Sequence, residues 1–95
     1  MAVEILARLK TKPEYAQAVR ELLLSMVDET HKEEGCEEYQ LHVDVEHSHH
    51  FIMIEKWRSQ ADLDKHSHSM HMKALKSVME KYFIELSLFN VSHRM

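Results

Sequence analysis

The sequence predicts an α+β sandwich, in which a four-stranded antiparallel sheet carries two helical segments on one of its faces. Four short stretches alternate apolar and polar residues with the period of two that is typical of β-strands. Two amphipathic stretches with helical spacing separate these strands in the order β-α-β-β-α-β. A short polar connection joins the two middle strands, which indicates an antiparallel hairpin.

The length and composition favour a single small domain that spans residues 1–95. The chain contains one glycine and one proline, so no stretch has the composition of an interdomain linker. A chain of this size buries a smaller fraction of its surface than a larger domain does, and association with a second copy is a common way to add buried area. We therefore expect an oligomer, most simply a homodimer.

The charge pattern argues against nucleic acid as a partner. The formal net charge is −4, and acidic residues are concentrated between Asp28 and Glu38, whereas nucleic-acid binding requires a basic face. No stretch approaches the roughly 18 apolar residues of a membrane-spanning helix, so no membrane association is predicted. The single cysteine, Cys36, cannot form an internal disulfide, and we expect a cytoplasmic protein.

The N-terminal third predicts a strand followed by a helix. From Val3 to Leu9 the odd-numbered residues are apolar and form one face of the strand. Thr11 and Pro13 are typical of a helix N-terminus, so Thr11 is expected to cap the helix. Gly35 is expected to end the helix as a C-terminal cap or to form a turn. The apolar side of this helix contains Tyr15, Val19, Leu22, Leu23, Met26 and Val27.

The middle of the chain predicts a β-hairpin. Ile52 and Ile54 lie on one face of its second strand, opposite a face that is also largely apolar, so both faces of that strand need cover. The turn of the hairpin contains three histidines that we interpret as solvated, His47, His49 and His50. The alternating residues of the first strand are Tyr39, Leu41, Val43 and Val45. Those of the second strand are Phe51, Met53, Glu55 and Trp57.

The last third predicts a broken helical segment and a final strand. Ser59 is expected to cap a short helix, with Asp62 in the capping-box position, and a break is expected near Ser67–Met70. A second helix continues to Tyr82, and Phe83 to Val91 alternate as the last strand. This order of elements is that of a ferredoxin-like sandwich.

The two helical segments of such a fold cover only one face of the sheet. Ile52 and Ile54 are then left on the other face, where a second copy of the same sheet is the simplest partner. We therefore predict a homodimer with its sheets packed face to face, which is the arrangement of a dimeric α/β barrel.

Glu55 and Trp57 lie on the same side of their strand because side chains two residues apart share a face. Two interpretations are open. Trp57 can simply pack in the core while Glu55 pairs with His66, Lys65 or an arginine of a partner chain. Alternatively, both line a pocket between sheet and helices, where burial would raise the pKa of Glu55 and let it act as a base.

His66, His68 and His71 form the sequence HSHSMH. On one continuous helix they would not share a face, and the His-x-x-x-His spacing of helical zinc sites is absent, so no metal site is predicted. If the helix breaks between them, His66 and His71 can converge on one pocket and exchange a proton near neutral pH. The acidic neighbours of Cys36 are expected to raise its pKa, which disfavours a nucleophilic thiol.

Motifs for large cofactors are absent from the sequence. It contains no glycine-rich phosphate loop, no Cys-x-x-Cys pair and no nucleophile elbow. A nicotinamide- or flavin-binding domain would not fit in this length. Any redox chemistry must therefore be done by the substrate itself or by a small bound cofactor.

The sequence resembles the antibiotic biosynthesis monooxygenase (ABM) family of small, dimeric, ferredoxin-like proteins. The resemblance extends over residues 3–92, nearly the whole chain. The matching features, in chain order, are Lys12-Pro13-Glu14, Glu34-Gly35-Cys36 followed by Tyr39, Glu55-x-Trp57, Leu63-x-x-His66, and His71 followed by Lys73-Ala74-Leu75.

The resemblance implies a homodimer with a pocket in each subunit, and Trp57, His66 and His71 match the motif positions of the family, with Tyr39 and Glu55 as a supporting pair. Some members oxidise quinols or polyketide anthrones with oxygen and no cofactor, while others isomerise small phosphorylated signalling compounds or degrade haem. The first strand lacks the asparagine, and the helix after His71 lacks the histidine, of haem-degrading members, so haem is not expected.

The leading prediction is a cofactor-independent monooxygenase that oxidises a small quinol, phenol or enol with molecular oxygen. The predicted catalytic residues are His66 or His71 as proton acceptor and Glu55 as the orienting group. The predicted substrate-binding residues are Trp57 as a stacking wall, Tyr39, Phe51 and Met53. The alternatives are a binding module without turnover, an isomerase of a small signalling metabolite, and a purely structural dimer.

Overall fold

The computed structural model describes residues 2–91; Met1 and residues 92–95, which the single-domain prediction includes, lie outside the described residues. Within residues 2–91, no helix is long and apolar enough to cross a bilayer. The strands of the described chain are β1 (Val3–Lys10), β2 (Cys36–Val43), β3 (His50–Trp57) and β4 (Glu85–Asn90). Its α-helices are α1 (Ala16–His31), α2 (Gln60–Ser67) and α3 (Met70–Val78).

The four strands form one antiparallel sheet in the order β2-β3-β1-β4. This topology confirms the predicted α+β ferredoxin-like fold. The register places Ile54 opposite Leu6 and Leu6 opposite Phe89, so these three apolar side chains form a row across one face. On the other face, Ile5 and Tyr39 flank Glu55.

The core lies between the sheet and the helices. Fully burying one large apolar side chain contributes about 1.5–3 kcal/mol, and Trp57, Phe51 and Val19 are the largest apolar side chains that are almost completely buried. The predicted apolar side of α1 faces this core, and no helix of residues 2–91 covers the opposite face of the sheet. The buried hydrophobic residues are Ile5, Ala7, Leu9, Val19, Leu23, Met26, Tyr39, Phe51, Met53, Trp57, Leu75 and Ile84.

The helical segment after β3 is divided into α2 and α3, as predicted. The Ser59 hydroxyl oxygen accepts a hydrogen bond from the backbone N–H of Asp62 at 3.2 Å, which caps α2. Ser69 caps α3 in the same way through the backbone N–H of Met72 at 3.3 Å. Because Ser69 starts a new helix, the chain changes direction between His66 and His71.

The predicted helix start at Thr11 is wrong. The Thr11 hydroxyl donates to the backbone carbonyl of Tyr82 instead of capping a helix. A short 3₁₀ turn at Pro13–Tyr15 follows, and α1 begins only at Ala16. A threonine side chain can bond to the backbone far along the chain as well as nearby, so its capping signal was outweighed by a tertiary contact.

Other boundaries also differ from the prediction. The last strand is Glu85–Asn90, shorter than the predicted stretch from Phe83 to Val91. Val45 lies beyond β2 and is fully exposed, because the Asp44 carboxylate accepts from the backbone N–H groups of Glu46 and His47 and turns the chain there. The last helix ends at Val78, not at Tyr82.

Candidate active site

A cavity of about 280 Å³ lies between the sheet and the helices. An apolar cavity of about 150 Å³ accommodates benzene, so this one has room for a small substituted aromatic molecule. Three buried polar residues reach its wall, Tyr39, Glu55 and His66, and the more exposed polar lining residues are Gln60, Asp64, Ser67 and Lys76. The apolar lining consists of Ile5, Ala7, Leu9, Leu23, Met53, Leu63, Met72, Leu75, Leu86 and Leu88.

His66 lies in the last turn of α2 and is 3% exposed. Its Nδ1 atom is 2.7 Å from the Oε2 atom of Glu33. A carboxylate can only accept, so in the neutral ring Nδ1 carries the hydrogen and Nε2 is the free acceptor. Nε2 faces Glu55, with 4.0 Å between it and Oε1. Burial lowers the pKa of His66, although the hydrogen bond to Glu33 acts in the opposite direction.

Glu55 is a buried carboxyl group on β3. The indole nitrogen of Trp57 donates to its Oε1 atom at 3.0 Å. Burial raises the pKa of Glu55, and the hydrogen bond from Trp57 partly offsets that rise. A carboxyl group with a raised pKa exchanges protons more readily near neutral pH than an ordinary glutamate does.

Tyr39 lies directly opposite Glu55 on β2 and its ring meets the His66 ring edge-on, with 5.5 Å between the ring centroids. Burial, and secondarily the neighbouring Glu55 carboxylate, raises the pKa of Tyr39 above its ordinary value. A hydrogen bond with the buried Thr30 side chain acts in the opposite direction, but burial is the larger effect, so the phenol stays protonated at neutral pH.

His71 lies in the first turn of α3 and does not line the cavity. Its Nε2 atom is 3.1 Å from Glu33 Oε2 and 3.2 Å from each of the hydroxyl oxygens of Thr30 and Ser69. The helix break does bring His66 and His71 together, with ring centroids 5.7 Å apart. They converge on the Glu33 carboxylate, and only His66 reaches the cavity.

Trp57 and Phe51 are 0% and 1% exposed, and neither lines the cavity. The indole of Trp57 packs against the His66 ring, with 4.6 Å between the centroids. The structure places Trp57 behind His66 and Glu55 and outside the cavity lining, whereas the sequence predicts it as a stacking wall of the pocket. Of the predicted substrate-binding residues, Tyr39 and Met53 line the cavity.

Comparison with known proteins identifies the family of this chain. A family model described as antibiotic biosynthesis monooxygenase matches residues 2–77. The chain belongs to this family. It is 31% identical to the Escherichia coli K12 protein named "Probable quinol monooxygenase YgiN" over 94 aligned residues, which cover 88% of this chain and 90% of that protein. The family and this relative support the prediction of a monooxygenase.

Solved structures agree with the assignment of this chain to the ABM family. A crystal structure of an antibiotic biosynthesis monooxygenase superposes with a TM-score of 0.89 over 100% of both chains, at 27% identity. PA3566 from Pseudomonas aeruginosa superposes with a TM-score of 0.84, at 28% identity, over 97% of this chain and 95% of its own. The ABM fold is thus present across nearly the full length.

Glu33 is the residue of this site that the sequence pattern does not reveal as functional. The sequence shows it only as a member of an acidic cluster beside Cys36. Glu33 lies in the turn between α1 and β2, two residues before the only glycine, Gly35, whose φ of +82° permits that turn. A carboxylate beside a required glycine, at the end of a core-packed helix, was the available signal.

Cys36 is half-buried and does not line the cavity. Burial, followed by the charge of Glu33, raises the pKa of its thiol. The expected direction of the pKa shift is confirmed, although burial outweighs the acidic neighbours as its cause.

Proposed function

We propose that this protein is a cofactor-independent monooxygenase that oxidises a small quinol or related phenol with molecular oxygen. The observation that carries the proposal is the line of side chains from Glu33 through His66 to Glu55 at the wall of an apolar cavity. The name of the relative YgiN supports a quinol as the substrate class.

In this proposal His66 takes the phenolic proton of the substrate. Glu33 holds Nδ1 of His66 and stabilises the imidazolium that forms, as the carboxylate of a catalytic triad does. The 4.0 Å between His66 Nε2 and Glu55 Oε1 is too long for a direct hydrogen bond. It leaves room for one substrate oxygen that contacts both atoms.

Oxidation then follows from the electron-rich anion. The anion transfers electrons to O₂, and a carbon–oxygen bond forms on the ring. His66 returns its proton to the resulting peroxide, and loss of water breaks the O–O bond and removes the hydrogen of that ring carbon. One quinol and one O₂ give one hydroxyquinone and one water, so atoms and electrons balance without an external reductant.

Tyr39 and Glu55 orient the substrate in this scheme. The ring of Tyr39 lines the cavity beside His66 and positions the substrate ring there. In its protonated form, which its raised pKa favours, Glu55 donates a hydrogen bond to the substrate oxygen while Trp57 holds the carboxyl group in place. The largely apolar lining of the cavity strengthens these interactions once the substrate has displaced water from it.

We also propose that the functional form is a homodimer formed through the helix-free face of the sheet. Ile54 and Phe89 on that face are 38% and 50% exposed, and they lie in register with Leu6. An exposed apolar row on a small sheet requires a partner, and a second copy of the sheet matches it in shape and polarity. This arrangement leaves the cavity, on the other face, open to substrate.

The test is oxygen uptake with a menadiol-type quinol, corrected for uptake without protein. His66→Gln is expected to lower the protein-dependent rate by about 10²–10⁴, the contribution of a general base. His68→Gln is the matched control, because His68 is exposed near the end of the same helix and does not line the cavity. Unchanged uptake in His66→Gln would refute the proposed base.

A binding module without turnover gives a different result in the same samples. Quinol would quench the fluorescence of Trp57, the only tryptophan, in a saturable way, and wild-type protein would consume no oxygen above the background. That combination would overturn the proposed monooxygenase.

A further inference from the structure

Three side chains with metal-ligating atoms meet beside the cavity, where the end of α1 approaches the break between α2 and α3. One oxygen of Glu33 and one ring nitrogen each of His66 and His71 all lie within 4.8 Å of one another. We infer that Glu33, His66 and His71 form a binding site for a divalent transition-metal ion, for which Zn²⁺ is the best-matched probe. This site goes beyond the proposed oxidation, which needs no metal.

The distances suit an ion of that size. Glu33 Oε2 is 2.7 Å from His66 Nδ1 and 3.1 Å from His71 Nε2. Zinc binds such atoms at about 2.0–2.2 Å in a tetrahedral arrangement, which places the ligand atoms about 3.3 Å apart. Only small side-chain movements separate the present arrangement from coordination.

The donor set selects the class of metal. Two imidazoles and one carboxylate are ligands that Zn²⁺ and other late first-row divalent ions prefer, whereas Ca²⁺ and Mg²⁺ favour sites made of oxygen atoms. Three protein ligands leave a fourth position for water or another small ligand. The hydroxyl groups of Thr30 and Ser69 are each 3.2 Å from His71 Nε2. They lie close enough to hydrogen-bond to a water molecule or other ligand in this fourth coordination position.

The backbone around the three ligands is well supported. The backbone N–H of Glu33 donates to Thr30 at 3.0 Å, and the Glu33 carbonyl accepts from Cys36 at 3.2 Å. Ser69 caps α3 and sets the position of His71. Glu55 lies 4.0 Å from Nε2 of His66, so a shift of about 1 Å would let it accept a hydrogen bond from the ligating histidine, as outer carboxylates do in zinc sites.

A metal ion can reach this site from the protein surface, and its binding would change which nitrogen of His66 carries the hydrogen. The side chains of Glu33 and His71 are 19% and 18% exposed, so an ion can enter from the surface without passing through the cavity. A metal on Nδ1 of His66 leaves the hydrogen on Nε2. The metal-loaded protein would then lack the free acceptor nitrogen that the proposed oxidation uses, and Zn²⁺ would inhibit it.

The test measures Zn²⁺ binding to chelator-treated protein by isothermal titration calorimetry, with the absorption of bound Co²⁺ as a report on coordination. A second histidine cluster, which we call the turn histidines, lies in the β2–β3 connection and at the first residue of β3. Its members, His47, His49 and His50, have ring centroids 4.4–5.9 Å apart and can take up metal themselves. All variants are therefore made in a background in which these three are alanine. We expect one Zn²⁺ per chain in that background.

Glu33→Gln and His71→Ala are each expected to weaken Zn²⁺ binding at least about tenfold, since even outer-shell changes cost about 10–100-fold. His68→Ala, an exposed histidine of the same sequence run, is expected to leave the affinity unchanged. Circular dichroism of the metal-free variants establishes that each is folded, and the partly exposed His71 gives a second variant if Glu33→Gln unfolds.

Equal Zn²⁺ affinity in wild type, Glu33→Gln and His71→Ala would overturn the inference, as would the loss of all stoichiometric binding in the turn-histidine background. The measurement uses neither quinol nor oxygen. Its failure therefore leaves the proposed oxidation untouched, and failure of the oxygen-uptake test leaves this site untouched.

Discussion

The indole nitrogen of Trp57 donates a hydrogen bond to the Glu55 carboxylate across 3.0 Å, and both side chains are buried beneath the helices. A carboxylate in such surroundings is costly unless a donor satisfies it. The contact explains why a polar residue is tolerated in the middle of an apolar strand face. It also keeps Glu55 directed toward His66 and the cavity.

Trp57→Phe is expected to destabilise the protein by about 2–4 kcal/mol, because it removes a buried donor and some packing volume. Combined with Glu55→Ala in a double-mutant cycle, the coupling between the two residues is expected to be about 1–3 kcal/mol. Urea unfolding at pH 7 measures the four free energies. Costs that add within about 0.5 kcal/mol would show that the hydrogen bond contributes nothing to stability.

Gly35→Ala is expected to cost at least about 2 kcal/mol of stability. Gly35 has a φ of +82°, which alone costs an alanine about 1–2 kcal/mol, and its new Cβ would overlap the Asp62 side chain. Urea unfolding measures the loss. In an Asp62→Gly background the overlap disappears, so the loss of unfolding free energy caused by Gly35→Ala should fall to the backbone contribution alone. An unchanged loss in that background would show that overlap with Asp62 does not contribute.

Asp62 is expected to make stability depend on pH in the acidic range. Arg58 donates two hydrogen bonds to its carboxylate at 2.9 and 3.0 Å and Ser59 donates a third at 2.9 Å, and these lower the pKa of Asp62. A folded-state pKa below the unfolded value means that the contribution is present above about pH 4 and is lost as the pH falls through the folded value.

Asp62→Asn supplies the comparison for this prediction. Its unfolding free energy, measured in urea between pH 7 and pH 3, should lie below that of wild type at pH 7, and the difference should shrink below about pH 4. A difference that stays constant over this range would mean that the charge of Asp62 does not stabilise the fold.

Local signals predicted much of the fold. The β-α-β-β-α-β order follows from changes of apolar period, and the Ser59 cap and the helix break follow from short polar motifs, because each depends on residues within one or two turns. Thr11 failed as a cap because its partner, Tyr82, is distant in sequence and competes with the local interaction.

The candidate site was harder to predict, because it depends on which elements meet in three dimensions. His66 and Glu55 were identified from the strand and helix patterns, yet their link to Glu33 requires the turn after α1 to lie beneath α2. Trp57 was expected in the cavity wall, since a strand pattern shows which face a residue is on but not how deeply neighbouring helices bury it. Tertiary packing decides both the contact of Glu33 with His66 and the depth at which Trp57 is buried, and no local sequence pattern reports it.

Ile54→Lys is expected to dissociate the proposed dimer. It places an ammonium group in the apolar row of Ile54, Leu6 and Phe89, and burying an unpaired charge costs several kcal/mol or prevents association. Light scattering after size-exclusion chromatography measures the mass. Val45→Lys, at a fully exposed position in the β2–β3 connection, is the control that should remain dimeric. A monomeric wild type, or a dimeric Ile54→Lys, would refute the interface.

Leu63→Trp is expected to fill part of the cavity and to lower quinol-dependent oxygen uptake at least about tenfold, since a substrate displaced by even 1 Å loses about that much or more. Leu63 lines the cavity, but its apolar side chain takes no part in the proposed proton transfer. Overpacking costs about 1–3 kcal/mol, so urea unfolding must accompany the rate measurement to show that the variant is folded at the assay temperature.

Leu24→Trp is the matched control for the filled cavity, because Leu24 is 49% exposed on α1 and adds the same indole outside the cavity. It should retain the wild-type rate. If Leu63→Trp is folded and also retains that rate, turnover occurs somewhere other than this cavity, because the added ring and a quinol cannot share the space. His66 would then need a substrate that reaches it from the Glu33 side, where the cluster is partly exposed.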